Sequence, residues 1–101
     1  MVLNESKIMA YLGLATKAGK LVSGEFMTEK SVKEGRALLV IVAEDSSDNT
    51  KKMFRNMCEF YHVPMYIMSN KEALGHGIGK QFRASVAVLD KGLADAIIKQ
   101  M

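Results

Sequence analysis

A chain of 101 residues, 49% hydrophobic and 25% charged, is long enough for one real core, too short for two typical domains and too apolar for long disorder. Its net charge of +3 permits a nucleic acid or an anionic membrane surface as partner without demanding either, since formal charge says nothing about clustering. The single cysteine, Cys58, excludes an intrachain disulfide, and the longest apolar run, Ala37 to Ala43, is too short to span a bilayer, so the expectation is a soluble cytoplasmic domain with no membrane partner.

The first twenty residues carry polar side chains among their apolar ones, as an amphipathic helix does and a signal-peptide core does not. Asn4 can cap that helix, Ile8, Tyr11, Leu12 and Ala15 recur at helical spacing, and Gly19 is placed to end it. "KLVS", Lys20 to Ser23, is a short strand candidate. Gly24 opens a second helix ending near Gly35, with Thr28, Ser31 and Val32 facing inward. "LLVIVA", Leu38 to Ala43, is continuously apolar and rich in β-branched residues, as a central strand covered on both faces should be.

A polar loop, Glu44 to Thr50, supplies Ser47 or Asp48 as the cap of a third helix. Met53, Phe54, Met57, Cys58 and Tyr61 form its buried stripe, and Lys51, Lys52, Arg55 and Glu59 lie off it. Pro64 precedes another strand, "MYIM" at Met65 to Met68. "NKEALGHGIG" reads as a short helix with a glycine-rich exit, and "ASVAVLD", Ala84 to Asp90, as a fourth strand. Leu93, Ala94, Ile97, Ile98 and Met101 make the stripe of a last helix. The alternation predicts one α/β domain, a mixed or parallel sheet with helices on both faces.

Catalytic and metal-binding patterns are incomplete. "GHGIGK", Gly75 to Lys80, has Leu74 and Gln81 where a phosphate-binding loop needs glycine and a hydroxyl residue. Cys58 and His62 stand one helical turn apart, but two ligands do not make a metal site. The loop Glu44, Asp45, Asp48 has Thr50 and Asn56 where a calcium loop requires Gly and Glu. No base can be assigned to Ser23, Ser69 or Cys58. The residues therefore name no catalytic group, metal or cofactor.

The start of the second helix is a better candidate. A helix N-terminus offers unpaired N–H groups and a partial positive charge to phosphate oxygens. Lys17 and Lys20 precede Gly24, and Lys30 and Lys33 follow it. An equally good structural reading makes Gly24 a tight turn, Glu25 a complement to the helix dipole and the lysines a solvated face. Phe26 and Met27 fall off the inward face, and exposed apolar groups beside lysines can stack on bases.

The succession "GLATKAGKLVSGEFMTEKSVKEGRALLVIVAEDSSDNT", "YHVPMYIMSNKEALGHGIGK" and "ASVAVLD" resembles the kink-turn RNA-binding ribosomal protein family, that of archaeal large-subunit protein seven-Ae and eukaryotic protein thirty-e, and most closely its YlxQ-like bacterial branch. The matching features keep their order along the chain: Gly24 with Thr28 four residues on, the buried strand leading to "AED", the "VP" before the third strand, Leu74 with Gly75, and "SVAV". The resemblance implies a three-layer α/β/α sandwich around a central four-stranded mixed sheet, with no enzymatic activity. It further implies that the helix at Gly24 enters the widened groove of a kinked RNA, that Lys30 belongs to the same surface, and that Lys80, Gln81, Phe82 and Arg83 close over bulged nucleotides.

Where family members carry polar pairs such as Asn-Glu or Lys-Gln after the residue matching Glu25, this chain has Phe26 and Met27. Neither side chain can bond a base edge, and an unpaired buried edge costs about 1–3 kcal/mol. The resulting expectation is a ribosomal or ribosome-associated protein that binds structured RNA, including ribosomal RNA, through Lys17, Lys20, Gly24, Glu25, Phe26, Met27, Lys30, Lys33 and Lys80 to Arg83. The alternative is a protein-interaction module in which Phe26 and Met27 anchor ribosomal proteins or translation factors.

Overall fold

The structure, a computed structural model, describes residues 3–101. Met1 and Val2, at the head of the segment read above as amphipathic, lie outside the described residues. The elements alternate in the expected order: α1 (Glu5–Lys17), β1 (Leu21–Ser23), α2 (Glu25–Lys33), β2 (Leu39–Val42), α3 (Asp48–Tyr61), β3 (Met65–Ile67), α4 (Lys71–Gly77), β4 (Ser85–Val88) and α5 (Lys91–Ile98). Asn4 caps α1 and Ser47 caps α3 through their side-chain oxygens, as their positions before the apolar repeats predict.

The strands form one mixed sheet in the order β1-β4-β2-β3. β4 runs antiparallel to both β1 and β2, while β2 and β3 are parallel. β2 and β4 are therefore interior strands, and each is buried along its whole length. That explains the unbroken apolar run of Leu39–Val42: both of its faces are covered.

One face of the sheet packs Leu39, Ile41, Val86 and Val88 against Ile8 and Leu12 of α1, Leu74 of α4, and Ala94 and Ile97 of α5. The opposite face packs Val40, Val42 and Ala87 against Val32 of α2 and Phe54 and Cys58 of α3. The result is the three-layer α/β/α sandwich with a four-stranded mixed sheet. Cys58 sits in the second of these cores, where burial pushes its thiol up to about 11.

The buried stripe of α3 ends before the sequence pattern does. Tyr61 lies at the C-terminal end of the helix and is exposed, with its ring 4.9 Å from that of the exposed Phe60. The helix stops there because His62 adopts a left-handed conformation (φ 58°). Tyr61 keeps its place in the helical repeat but is left partly uncovered. Similarly, Met101 follows the end of α5 yet still packs on the first core.

Strand direction decides what can meet. The C-terminal ends of β1, β2 and β3 and the start of β4 share one end of the sheet. Consequently α2, α3 and α4 all begin there, beside the segment that leads into β4. Backbone bonds bind this end together: Ala43 N–H to Ala84 O at 2.8 Å, Glu44 N–H to Ser69 O at 3.0 Å, and Arg83 N–H to Lys71 O at 3.0 Å.

Candidate nucleic-acid interface

β1 passes into α2 through a single residue, and its backbone is unusual. Gly24 has φ 88° and ψ 157°, a region essentially reserved for glycine because a Cβ would clash with the chain's own backbone. The turn is fixed from both sides. Gly24 N–H donates to Ser85 O at 2.9 Å, and Thr28 N–H donates to Gly24 O at 3.0 Å.

Below the turn, the inward face of α2 contains the three residues its spacing predicts, Thr28, Ser31 and Val32, all buried. The hydroxyl of Ser85 on β4 donates to that of Thr28 at 3.3 Å, and Ser31 Oγ donates to Thr28 O at 2.8 Å. These bonds satisfy groups that would each cost about 1–3 kcal/mol if buried alone. The bond from Ser85, together with the packing of Val32 against the sheet, fixes the rotation of α2 and so decides which of its side chains point outward.

No side chain caps the start of α2, whereas Asn4, Ser47, Asn70 and Asp90 cap α1, α3, α4 and α5. Glycine has no oxygen to offer, so the first N–H groups of α2 are left to an outside acceptor. Around them, Glu25 is exposed, Phe26 is 71% exposed and Met27 is 39% exposed. The first turn thus combines open donors with an apolar surface.

The segment Lys80 to Arg83 reaches the same place from the far side of the chain. Arg83 Nε donates to Ser23 Oγ at 3.0 Å, and its Nη1 donates to Phe82 O at 2.7 Å. A long side chain is thereby folded back to join the segment to the residue before Gly24. Phe82 remains 63% exposed. The backbone of this segment lies against α4 at Gly75, whose carbonyl accepts from Lys80 N–H at 2.7 Å. A Cβ on Gly75 would overlap the Gln81 carbonyl.

Of the twelve residues expected at the interface, Gly24, Glu25, Phe26, Met27, Lys80, Gln81, Phe82 and Arg83 gather at this end of the sheet. Lys30 and Lys33 extend the group along α2. Lys17 and Lys20 do not join it: Lys17 ends α1, and Lys20, whose carbonyl accepts from Leu89 N–H at 2.8 Å, stands at the other end of β1. Their nearness to Gly24 in the sequence is spent along an extended strand, at about 3.3 Å per residue. Ser23, Gly75 and Ser85 were not among the expected site residues. Only Gly75 had a signal, as part of the Leu74–Gly75 pair in the family pattern.

The other candidate constellations take structural places. "GHGIGK" is the end of α4 and the turn after it, with Gly79 at φ 76°. Cys58 is buried while His62 is exposed. Asp45 accepts from Lys71 N–H at 2.9 Å, which helps to seat the start of α4. Among the described residues, no group of three or more His, Cys, Asp or Glu side chains is placed to hold a metal ion.

Known proteins resemble this chain in sequence and in fold. The profile of the ribosomal protein L7Ae/L30e/S12e/Gadd45 family matches residues 6–98. The chain is 44% identical to RNA-binding protein YlxQ of Bacillus subtilis (strain 168) over 87 residues, covering 86% of this chain and 87% of that one. It is 33% identical to large ribosomal subunit protein eL30 of Eremothecium gossypii over 100 residues, covering 93% and 91%. Its fold matches that of the Giardia lamblia 15.5kD RNA binding protein with a TM-score of 0.81 at 20% identity, over 95% of this chain and 82% of the other.

Proposed function

The chain belongs to the ribosomal protein L7Ae/L30e/S12e/Gadd45 family, and on that premise we propose that it is a ribosomal or ribosome-associated protein that binds structured, kink-turn-like RNA without catalysing a reaction. The binding surface in this reading is the uncapped start of α2 together with Lys80 to Arg83. The observation that carries it is the Ser23–Arg83 bond, which joins an open helix N-terminus to a basic and aromatic segment far away in sequence. Relatives described as an RNA-binding protein and a ribosomal subunit protein support the same class of ligand.

At the shared end of the sheet, Glu44, Asp45 and Asp48 cluster before and at the start of α3, where they would repel a phosphate backbone. Lys30, Lys80 and Arg83 lie toward α2 and the segment before β4. An RNA approaching the α2 side meets Lys30, Lys80, Arg83 and open N–H groups with Glu25 among them, while on the α3 side it meets the carboxylates of Glu44, Asp45 and Asp48 and then Lys51 and Lys52. The phosphate contribution is modest, since few cations take part, and it is salt-dependent.

The test is binding to a kink-turn RNA and to the same RNA with its sheared G·A pairs replaced by Watson–Crick pairs, each at two salt concentrations. Tighter binding to the kinked form is the expected result. Equal, weak affinity for both removes kink-turn recognition from the reading. A cytoplasmic location follows from this function and is checked by co-sedimentation with ribosomal particles.

A further inference from the structure

Resting on the RNA-binding reading, we propose that Phe26 is a stacking platform for one unpaired RNA base and that Lys30, one helical turn on, takes the neighbouring phosphate. Phe26, Glu29, Lys30, Lys33 and Glu34 line a shallow hollow along the outer face of α2. Their spacing, i, i+3, i+4, i+7 and i+8, puts them on one stripe. The buried bond from Ser85 to Thr28 and the packing of Val32 hold that stripe outward.

Within the hollow, the charges are already sorted. Glu29 pairs with Lys33 at 3.6 Å, and Glu34 pairs with Arg36 at 3.5 Å. Lys30 is exposed and has no carboxylate partner among the described residues. The two acidic groups are partly neutralised, and a free cation is left beside a flat apolar ring. An aromatic face with an adjacent cation suits an unpaired base and its phosphate, because every base has a π-face while paired bases present only edges. The hollow also continues directly from the uncapped start of α2, so one strand could follow both.

This assignment gives the departure at Phe26 a function. A phenylalanine cannot read a base edge by hydrogen bonding, but stacking needs no edge. Recognition at this position is therefore tolerant of base identity and intolerant of base removal.

The experiment uses the full chain and a kink-turn hairpin RNA in which each unpaired nucleotide is made abasic in turn. At one position, removing the base is expected to weaken wild-type binding about tenfold. Phe26→Ala should weaken binding to the intact RNA by a similar factor and add no further loss on that abasic RNA, while Phe26→Tyr retains the affinity of the wild type. Lys30→Gln should lower the slope of log affinity against log salt by about 0.7–0.9. Independent, multiplying effects of Phe26→Ala and base removal at every position would overturn the stacking proposal and leave RNA binding intact. Failure of the wild type to bind any of these RNAs would overturn both, and would return Phe26 to the role of a protein-contact residue.

Discussion

At Gly24 the surroundings are empty and the backbone is unusual; at Gly75 the backbone is ordinary helix and the surroundings are full. No atom outside the local chain lies within 4 Å of where a Cβ would stand on Gly24, but its φ of 88° excludes one. Gly75 could adopt its own dihedrals with any side chain, yet the Gln81 carbonyl occupies the space a Cβ would need. Each glycine supports one half of the proposed interface, the first by shaping a turn and the second by admitting a neighbouring backbone. The same residue type thus answers two separate physical demands, and substitution should separate them.

The largest effect is expected at Gly75. Gly75→Ala must displace the backbone of the segment before β4 and should cost about 1–3 kcal/mol, near the upper end because backbone yields less readily than a side chain. Urea unfolding measures it, and RNA affinity should fall in the same variant because the Lys80–Arg83 segment is lifted. An unchanged unfolding midpoint would mean that the segment does not rest on α4.

Gly24→Ala should cost less, about 1–2 kcal/mol, since only local dihedral strain is added. Chirality sharpens the contrast. D-alanine introduced at Gly24 by chemical ligation accommodates positive φ and should restore most of the lost stability, whereas D-alanine at Gly75 should not. If both positions responded alike, the distinction between a conformational and a steric glycine would be broken.

Ser23→Ala removes the bond that joins the two halves while leaving both glycines in place. Because the bond is partly exposed, the stability loss should be small, about 0.5–1 kcal/mol, but RNA affinity should fall by more than that loss explains. Hydrogen exchange at Phe82 and Arg83 would report the release of the segment.

Cys58 provides a control remote from both glycines. Its thiol is held at about 11 against an ordinary 9, so between these values the folded state keeps a proton that the unfolded state has lost. Stability should therefore be unaffected by this group below pH 9 and should fall as pH rises from 9 to 11. Cys58→Ala should flatten that part of the pH profile, and either glycine variant should leave it unchanged.

How much could be read in advance depended on whether the signal was local. The turn at Gly24, the inward set Thr28, Ser31 and Val32, and the capping of α1 by Asn4 and α3 by Ser47 all follow from neighbours in the chain. The exposure of Tyr61 did not, because a helical repeat gives the direction of a side chain and not whether anything lies opposite it. Lys17 and Lys20 illustrate the same limit at the proposed interface. They are close to Gly24 in sequence, and an intervening strand carries them to the opposite end of the sheet.

The amino-acid sequence by itself determined the succession of helices and strands, since apolar periodicity, caps and glycine or proline breaks act over a few residues. It also determined that β2 is an interior strand, through an apolar run that only two covered faces can bury. Tertiary structure alone decided that Ser23 meets Arg83 and that Gly75 receives Gln81. Those relations depend on strand order and helix rotation, which arise when separate elements pack and have no counterpart in any short stretch of chain.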